Sequence, residues 1–163
     1  MKKYIKPILF VSGAIAIMAA TFLFVPTDNM SGRFTSEKFF AEMEEGELDS
    51  VLVKIAAQYN QSLPIMVNLD TRLDSTIGIN KQFRYNYTMV DYSADQLDIK
   101  YFTHSMRPKL LNSACNTRDM VVFMNHGVPI TYAYYGIQGN KITEITVHPS
   151  DCKSLHTTPD QNT

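Results

Sequence analysis

Cys115 and Cys152 are the two cysteines of a 163-residue chain, and both follow a long uncharged run at residues 8–25. Two cysteines and no third, in a domain that has crossed a membrane, most simply form one disulfide. On the chain-entropy model, closing a loop of this length contributes about 3–4 kcal/mol. The rival chemistry is a metal pair or a redox site. There is no C-x-x-C, and His148 stands alone near Cys152. We therefore expect a structural bridge, no metal and no cofactor.

Histidine is the side chain whose unperturbed pKa falls in the physiological range. The four histidines, His104, His126, His148 and His156, all follow the apolar run. His126 falls at the end of a predicted helix, where the helix dipole favours the charged imidazole. His148 closes the last predicted strand, near the proposed bridge. His126, His148 and His104 are the candidates for sensing external pH, whereas His156 falls in a polar tail.

Tyrosine supplies a second pattern. Tyr85, Tyr87, Tyr132, Tyr134 and Tyr135 all fall in predicted strands. A tyrosine is a large apolar body with a polar tip, and suits either a core or a binding surface. Tyr134 and Tyr135 are adjacent, so on a strand they point to opposite faces. These five are candidates for a partner surface or for a cavity that takes a small hydrophobic ligand. Ordinary sheet packing is the simpler explanation of them.

Catalytic signatures are missing. The chain has no G-x-S-x-G, H-E-x-x-H, P-loop or dinucleotide-binding glycine motif. Asp70 and Asp74 are a conceivable carboxylate pair, but on a strand they read as a polar face. We expect no enzyme.

These residues are positioned by what lies around them. The run at 8–25, ILFVSGAIAIMAATFLFV, has eighteen residues and no charge. As a helix it would span about 27 Å, close to the hydrocarbon thickness of a bilayer. Its one good small-x-small match lies inside the run, so it reads as a retained anchor and not as a cleaved signal. Ser12, Ala16 and Ala20 repeat every four residues, with Gly13 beside them, a stripe that lets transmembrane helices pack closely. Lys2, Lys3 and Lys6 precede the run and place the N-terminus in the cytoplasm. Residues 1–7 are then cytoplasmic, 8–25 span the inner membrane, 26–33 are a tether, 34–153 form a periplasmic domain and 154–163 a disordered tail. So short a cytoplasmic end cannot itself bind DNA. The part beyond the anchor holds all sixteen acidic residues and, after the three leading lysines, twelve of the fifteen Lys and Arg. It is mildly acidic and has no basic stripe, which argues against direct nucleic-acid binding.

Within the domain, residues 48, 51, 52, 55 and 59 recur at helical spacing, and Gly46 marks a kink or break before them. Residues 65–79 and 82–92 alternate as strands, joined by a turn at Asn80 and Lys81. A second helical region covers 95–116, where Pro108 predicts a kink or restart. A short helix follows at 118–125, closed by Gly127. Residues 129–135 and 141–148 form a last hairpin. The order predicts an α+β fold: an N-terminal transmembrane helix, then a small domain with a four-stranded, mostly antiparallel sheet and helices packed on one face.

With MKKYIK before a single anchor, an exported α+β domain and the Cys115/Cys152 pair, the chain resembles the PsaF/MyfF-type accessory proteins. These sit beside membrane-anchored, ToxR-like transcriptional activators; ToxS and TcpH are more distant analogues. The resemblance implies a partner of the PsaE/MyfE type, a membrane-anchored winged-helix activator. It also implies control of fimbrial or virulence genes in response to acidity or temperature. The alternative expectation is a periplasmic binding or inhibitor protein, of the immunity type, that works without a transcriptional partner.

Overall fold

The computed structural model describes residues 36–155. The expected anchor with Ser12, Gly13, Ala16 and Ala20, the cytoplasmic end, the tether and His156 lie outside the described residues. Among the described residues no helix is long and apolar enough to cross a membrane.

The helical spacing near the start produces two helices, α1 (Ser36–Ala41) and α2 (Leu48–Asn60). Gly46 separates them at φ +88°, a conformation that costs glycine no Cβ clash. The apolar stripe of α2 buries Val51, Leu52, Ile55 and Ala56. It lies close against the sheet at Gly78, where a Cβ would sit 2.2 Å from the Leu52 carbonyl oxygen.

The sheet has five strands: β1 (Ile65–Met66), β2 (Thr71–Ile79), β3 (Gln82–Met89), β4 (Ile130–Gly136) and β5 (Lys141–Val147), in that spatial order. The expectation of four strands is corrected to five, while the sheet is mostly antiparallel as expected, with three antiparallel pairings of four. The segment at 65–79 is not one strand, because the chain turns at 67–70 and β1 and β2 pair antiparallel. β3 and β4 pair parallel, which makes the sheet mixed. A parallel pair needs a long crossover, and it is made by α3 (Ile99–Asn116) and α4 (Arg118–Asn125).

The hairpin turn forms at Asn80 and Lys81, both at positive φ, as a two-residue loop of the primed type requires. Asp49 accepts a hydrogen bond from the Lys81 amide at 2.6 Å. Register shifts between Leu73 and Ser75. Thr71 and Leu73 are therefore buried with Thr76 and Gly78, while Ile77 is exposed, so the strict alternation expected through residue 77 breaks at the bulge.

α3 continues through Pro108 as one helix, without the expected restart. The lost amide would have met the His104 carbonyl, and both residues lie on the exposed side of the helix, where water can satisfy that oxygen. Asp98 caps α3 by accepting from the Tyr101 amide. Thr117 holds the N-cap position of α4 without a side-chain capping bond, and Gly127 follows the helix at φ +74°. The segment after β5 forms α5 (Pro149–Leu155), so the helix runs two residues beyond the expected domain end. Cys115 and Cys152 are bonded, with Cα atoms 5.4 Å apart, and tie the end of α3 to α5. The core gathers Leu52, Ile55, Phe83, Phe123, Val128 and Ile130, all essentially inaccessible to solvent.

Candidate functional site

The parallel register sets Tyr85 opposite Tyr132 and Tyr87 opposite Tyr134. Residues two apart on a strand share a face, so the four rings form a two-by-two ladder on the core side of the central strands. Tyr85 and Tyr132 stack with centroids 5.8 Å apart, and Tyr87 and Tyr134 at 5.2 Å. Burial raises the pKa of all four hydroxyls, and for Tyr85, Tyr87 and Tyr132 neighbouring tyrosines add to it. Tyr134 is pushed up to about 12. The hydroxyls therefore stay neutral through the physiological range. The Tyr132 hydroxyl is buried with no hydrogen-bond partner among the described residues.

The five tyrosines singled out from sequence do not form one surface. Tyr85 and Tyr132 are core residues. Tyr87 and Tyr134 line a cavity of about 330 Å³ together with Val67, Met89, Phe102 and Met106. Phe102 meets the Tyr134 ring edge-on at 5.2 Å. Asn68, Asp70 and Thr71 supply its polar groups, with the Thr71 hydroxyl donating to Asp70 at 2.8 Å. The lining is mostly apolar, with aromatic rings and two flexible thioethers that adapt to apolar groups.

Tyr135 lies on the opposite face of the sheet, as its adjacency to Tyr134 requires. There its hydroxyl accepts from Arg84 at 3.1 Å. Arg84 also pairs with Glu144 at 3.0 Å, and Lys141 reaches Glu144 at 2.6 Å. Lys141 first, then Arg84, hold the Glu144 carboxyl below its ordinary value. Asp74 takes hydrogen bonds from Arg72 and Thr88. Asp70 and Asp74 are thus on different sides of the sheet and form no carboxylate pair.

The sequence reading missed the exposed apolar rim beside the cavity. β1 is only two residues long, and the chain then turns through 67–70. The turn is held by the Val67 and Asn68 amides on the Thr71 carbonyl and by the Asp70 amide on the Asn68 side chain. Leu69 projects from it 96% exposed. Ile65, Met66 and Val67 are also exposed, as are Ile99 and Tyr101 on the first turn of α3. The available signal was Asn68-Leu69-Asp70, two turn-forming residues around a leucine, which the strand alternation obscured.

The histidines are dispersed. His126 sits at the end of α4, exposed, with Nδ1 2.8 Å from the Val122 carbonyl oxygen. Its ring stacks on Phe40 of α1 at 4.3 Å. His104 is exposed on α3, and His148 is exposed just before α5. None of the three lines the cavity. Among the described residues no cluster of His, Cys, Asp or Glu could hold a metal ion.

The fold is that of a small, disulfide-linked α+β domain with a five-stranded mixed sheet. No family model and no curated protein sequence matches the chain. Two solved structures share the fold. One is a Pseudomonas aeruginosa protein described as a candidate secreted protein, with TM-score 0.57 and 18% identity, covering 65% of this chain and 93% of its own. The other is EpsS, a pilotin from the type 2 secretion system of Vibrio vulnificus, with TM-score 0.53 and 13% identity, covering 65% of this chain and 92% of its own.

Proposed function

We propose that this chain is an exported binding protein that acts through a protein partner and is not an enzyme. The observation that carries this is the continuity between an aromatic and methionine-lined cavity and an exposed apolar rim, with Val67 common to both. Exposed apolar groups gathered beside a cavity mark an interaction site. The fold shared with a secretion-system pilotin and with a candidate secreted protein supports placement of the domain outside the cytoplasm. The run at 8–25 would hold it at the inner membrane with the domain in the periplasm. The alternative drawn from the sequence, a periplasmic binding protein that needs no transcriptional partner, thereby becomes the first reading.

A second reading is favoured by the three lysines and the apolar run. With the run at 8–25 as a membrane anchor and the domain outside, an effect of the domain on transcription would pass through a partner that spans the membrane. In that case the partner is a winged-helix activator, and the domain shifts its stability or dimerisation. Protonation of His126, His148 or His104 would bias that complex.

Photo-crosslinking in intact cells tests the proposal, with a photoreactive residue at Leu69 or Tyr101 and a control at Gln82 on the other face. Adducts with an envelope protein from positions 69 and 101 alone support the first reading. A winged-helix membrane protein in the adduct selects the second. A small apolar molecule retained in the cavity, with no protein adduct, would replace both with ligand storage. Adducts from position 82 alone would move the site to the opposite face.

A further inference from the structure

The exposed apolar residues at this end of the domain are threaded with carboxylates. Asp70 contributes to the cavity. Its carbonyl accepts from the Val90 amide at 2.8 Å, which brings Asp91 and Tyr92 alongside. The Tyr92 carbonyl in turn holds the Ile137 amide at 2.8 Å. Asp95 lies in the 3₁₀ turn Ala94–Gln96, and Asp98 caps α3 directly before Ile99 and Tyr101. Among the described residues none of Asp70, Asp91, Asp95 or Asp98 belongs to an ion pair. The acids of the opposite face differ, since Asp74 is paired with Arg72, and Glu144 with Arg84 and Lys141. Across residues 90–101 the one basic side chain is Lys100.

We infer that the partner segment that docks here is basic as well as apolar, carrying Lys or Arg beside the large apolar side chain that enters the cavity. The inference rests on the binding reading above and adds the chemistry of the partner. An uncompensated negative rim attracts a cationic segment and speeds its encounter. The same rim repels an anionic lipid surface. It also repels a second copy of itself, so neither a membrane nor a symmetric dimer through this patch fits the charge. The apolar floor rewards burial of an anchor side chain, and the carboxylates select which anchor-bearing segments approach.

The test uses the full chain in nanodiscs of phosphatidylcholine. A random-peptide display library is panned against it and counter-selected on empty discs. The expected result is enrichment of peptides that combine large apolar residues with an excess of Lys and Arg. Their binding should weaken roughly two- to five-fold for each of Asp70→Asn, Asp91→Asn, Asp95→Asn and Asp98→Asn at low salt. It should be abolished by Leu69→Ser with Tyr101→Ser, which remove the apolar groups without changing the charge, both at exposed positions that leave the core intact. Enriched peptides without a basic excess, or peptides indifferent to the Asn variants, would overturn the inference while leaving the binding reading in place. No enrichment, or binding unaffected by the Leu69 and Tyr101 changes, would overturn both.

Discussion

Tyr87 and Tyr134 face each other across the parallel junction of β3 and β4, with ring centroids 5.2 Å apart and planes inclined by 18°. They pass from the buried ladder into the cavity wall. One strand junction thus supplies both the packing of the core and the floor of the proposed binding site.

The ladder contains a removable cost. The buried Tyr132 hydroxyl lacks a partner among the described residues, and a buried unsatisfied group is unfavourable. Tyr132→Phe is expected to raise stability by about 1 kcal/mol in urea unfolding. A drop in stability would show that the hydroxyl is satisfied, for example by ordered water.

Alkali should open the domain through these same rings. Tyr59 is pushed up to about 12 by burial and then by Asp119, and Tyr134 to about 12 by burial. A raised folded-state pKa contributes stability that is complete below the unfolded value, about 10, and is lost as pH rises through the folded value. Tyrosinate absorbance should therefore develop in two phases, with the buried rings ionising together with loss of near-ultraviolet circular dichroism. A single phase near the unfolded value, with the fold intact, would contradict this burial.

Gly78 leaves no room for a side chain. The nearest groups to a Cβ there are the Leu52 backbone, at 2.2 Å, and the Leu52 Cβ, at 2.7 Å. Gly78→Ala must lift α2 from β2 and is expected to cost roughly 1–3 kcal/mol. The urea midpoint measures it, and an unchanged midpoint would mean that α2 does not rest on β2 at Gly78.

Removing the bridge should destabilise more. The two cysteines are 37 positions apart, and replacing both with serine is expected to cost about 3–4 kcal/mol on the chain-entropy model. Hydrogen exchange should show α5 losing protection first. Equal stability of the serine variant and the wild type would count against a structural role.

His126 joins α1 to α4 through its stack on Phe40. His126→Phe keeps a ring in that place and removes the charge, whereas His126→Ala removes both. The alanine variant should lose exchange protection across α1, and the phenylalanine variant should keep it. If His126 senses acidity, partner binding compared at about pH 6 and 7.5 should respond in the wild type and not in the phenylalanine variant. An identical response in both would remove His126 from that role.

Much of this protein is legible in its sequence, because local periodicity and turn chemistry report which face of each element is buried. The stripe of α2, the Asn80–Lys81 turn and the Gly127 end of α4 follow from neighbouring residues, and the Cys115–Cys152 bridge follows from there being two cysteines and no third. Periodicity does not say which strand lies beside which. The parallel pairing of β3 with β4 is settled by packing of the intervening helices, and with it which tyrosines form the ladder. The turn at 67–70 was obscured because its residues continue a strand-like alternation while their hydrogen bonds fold the chain back. The acids at 70, 91, 95 and 98 meet the exposed apolar groups only when separate loops converge at one end of the sheet. The sequence by itself determined most of the helices, the β2–β3 and β4–β5 hairpins and the bridge. Only the tertiary structure decided which side chains share a surface, because that depends on contacts between residues far apart in the chain.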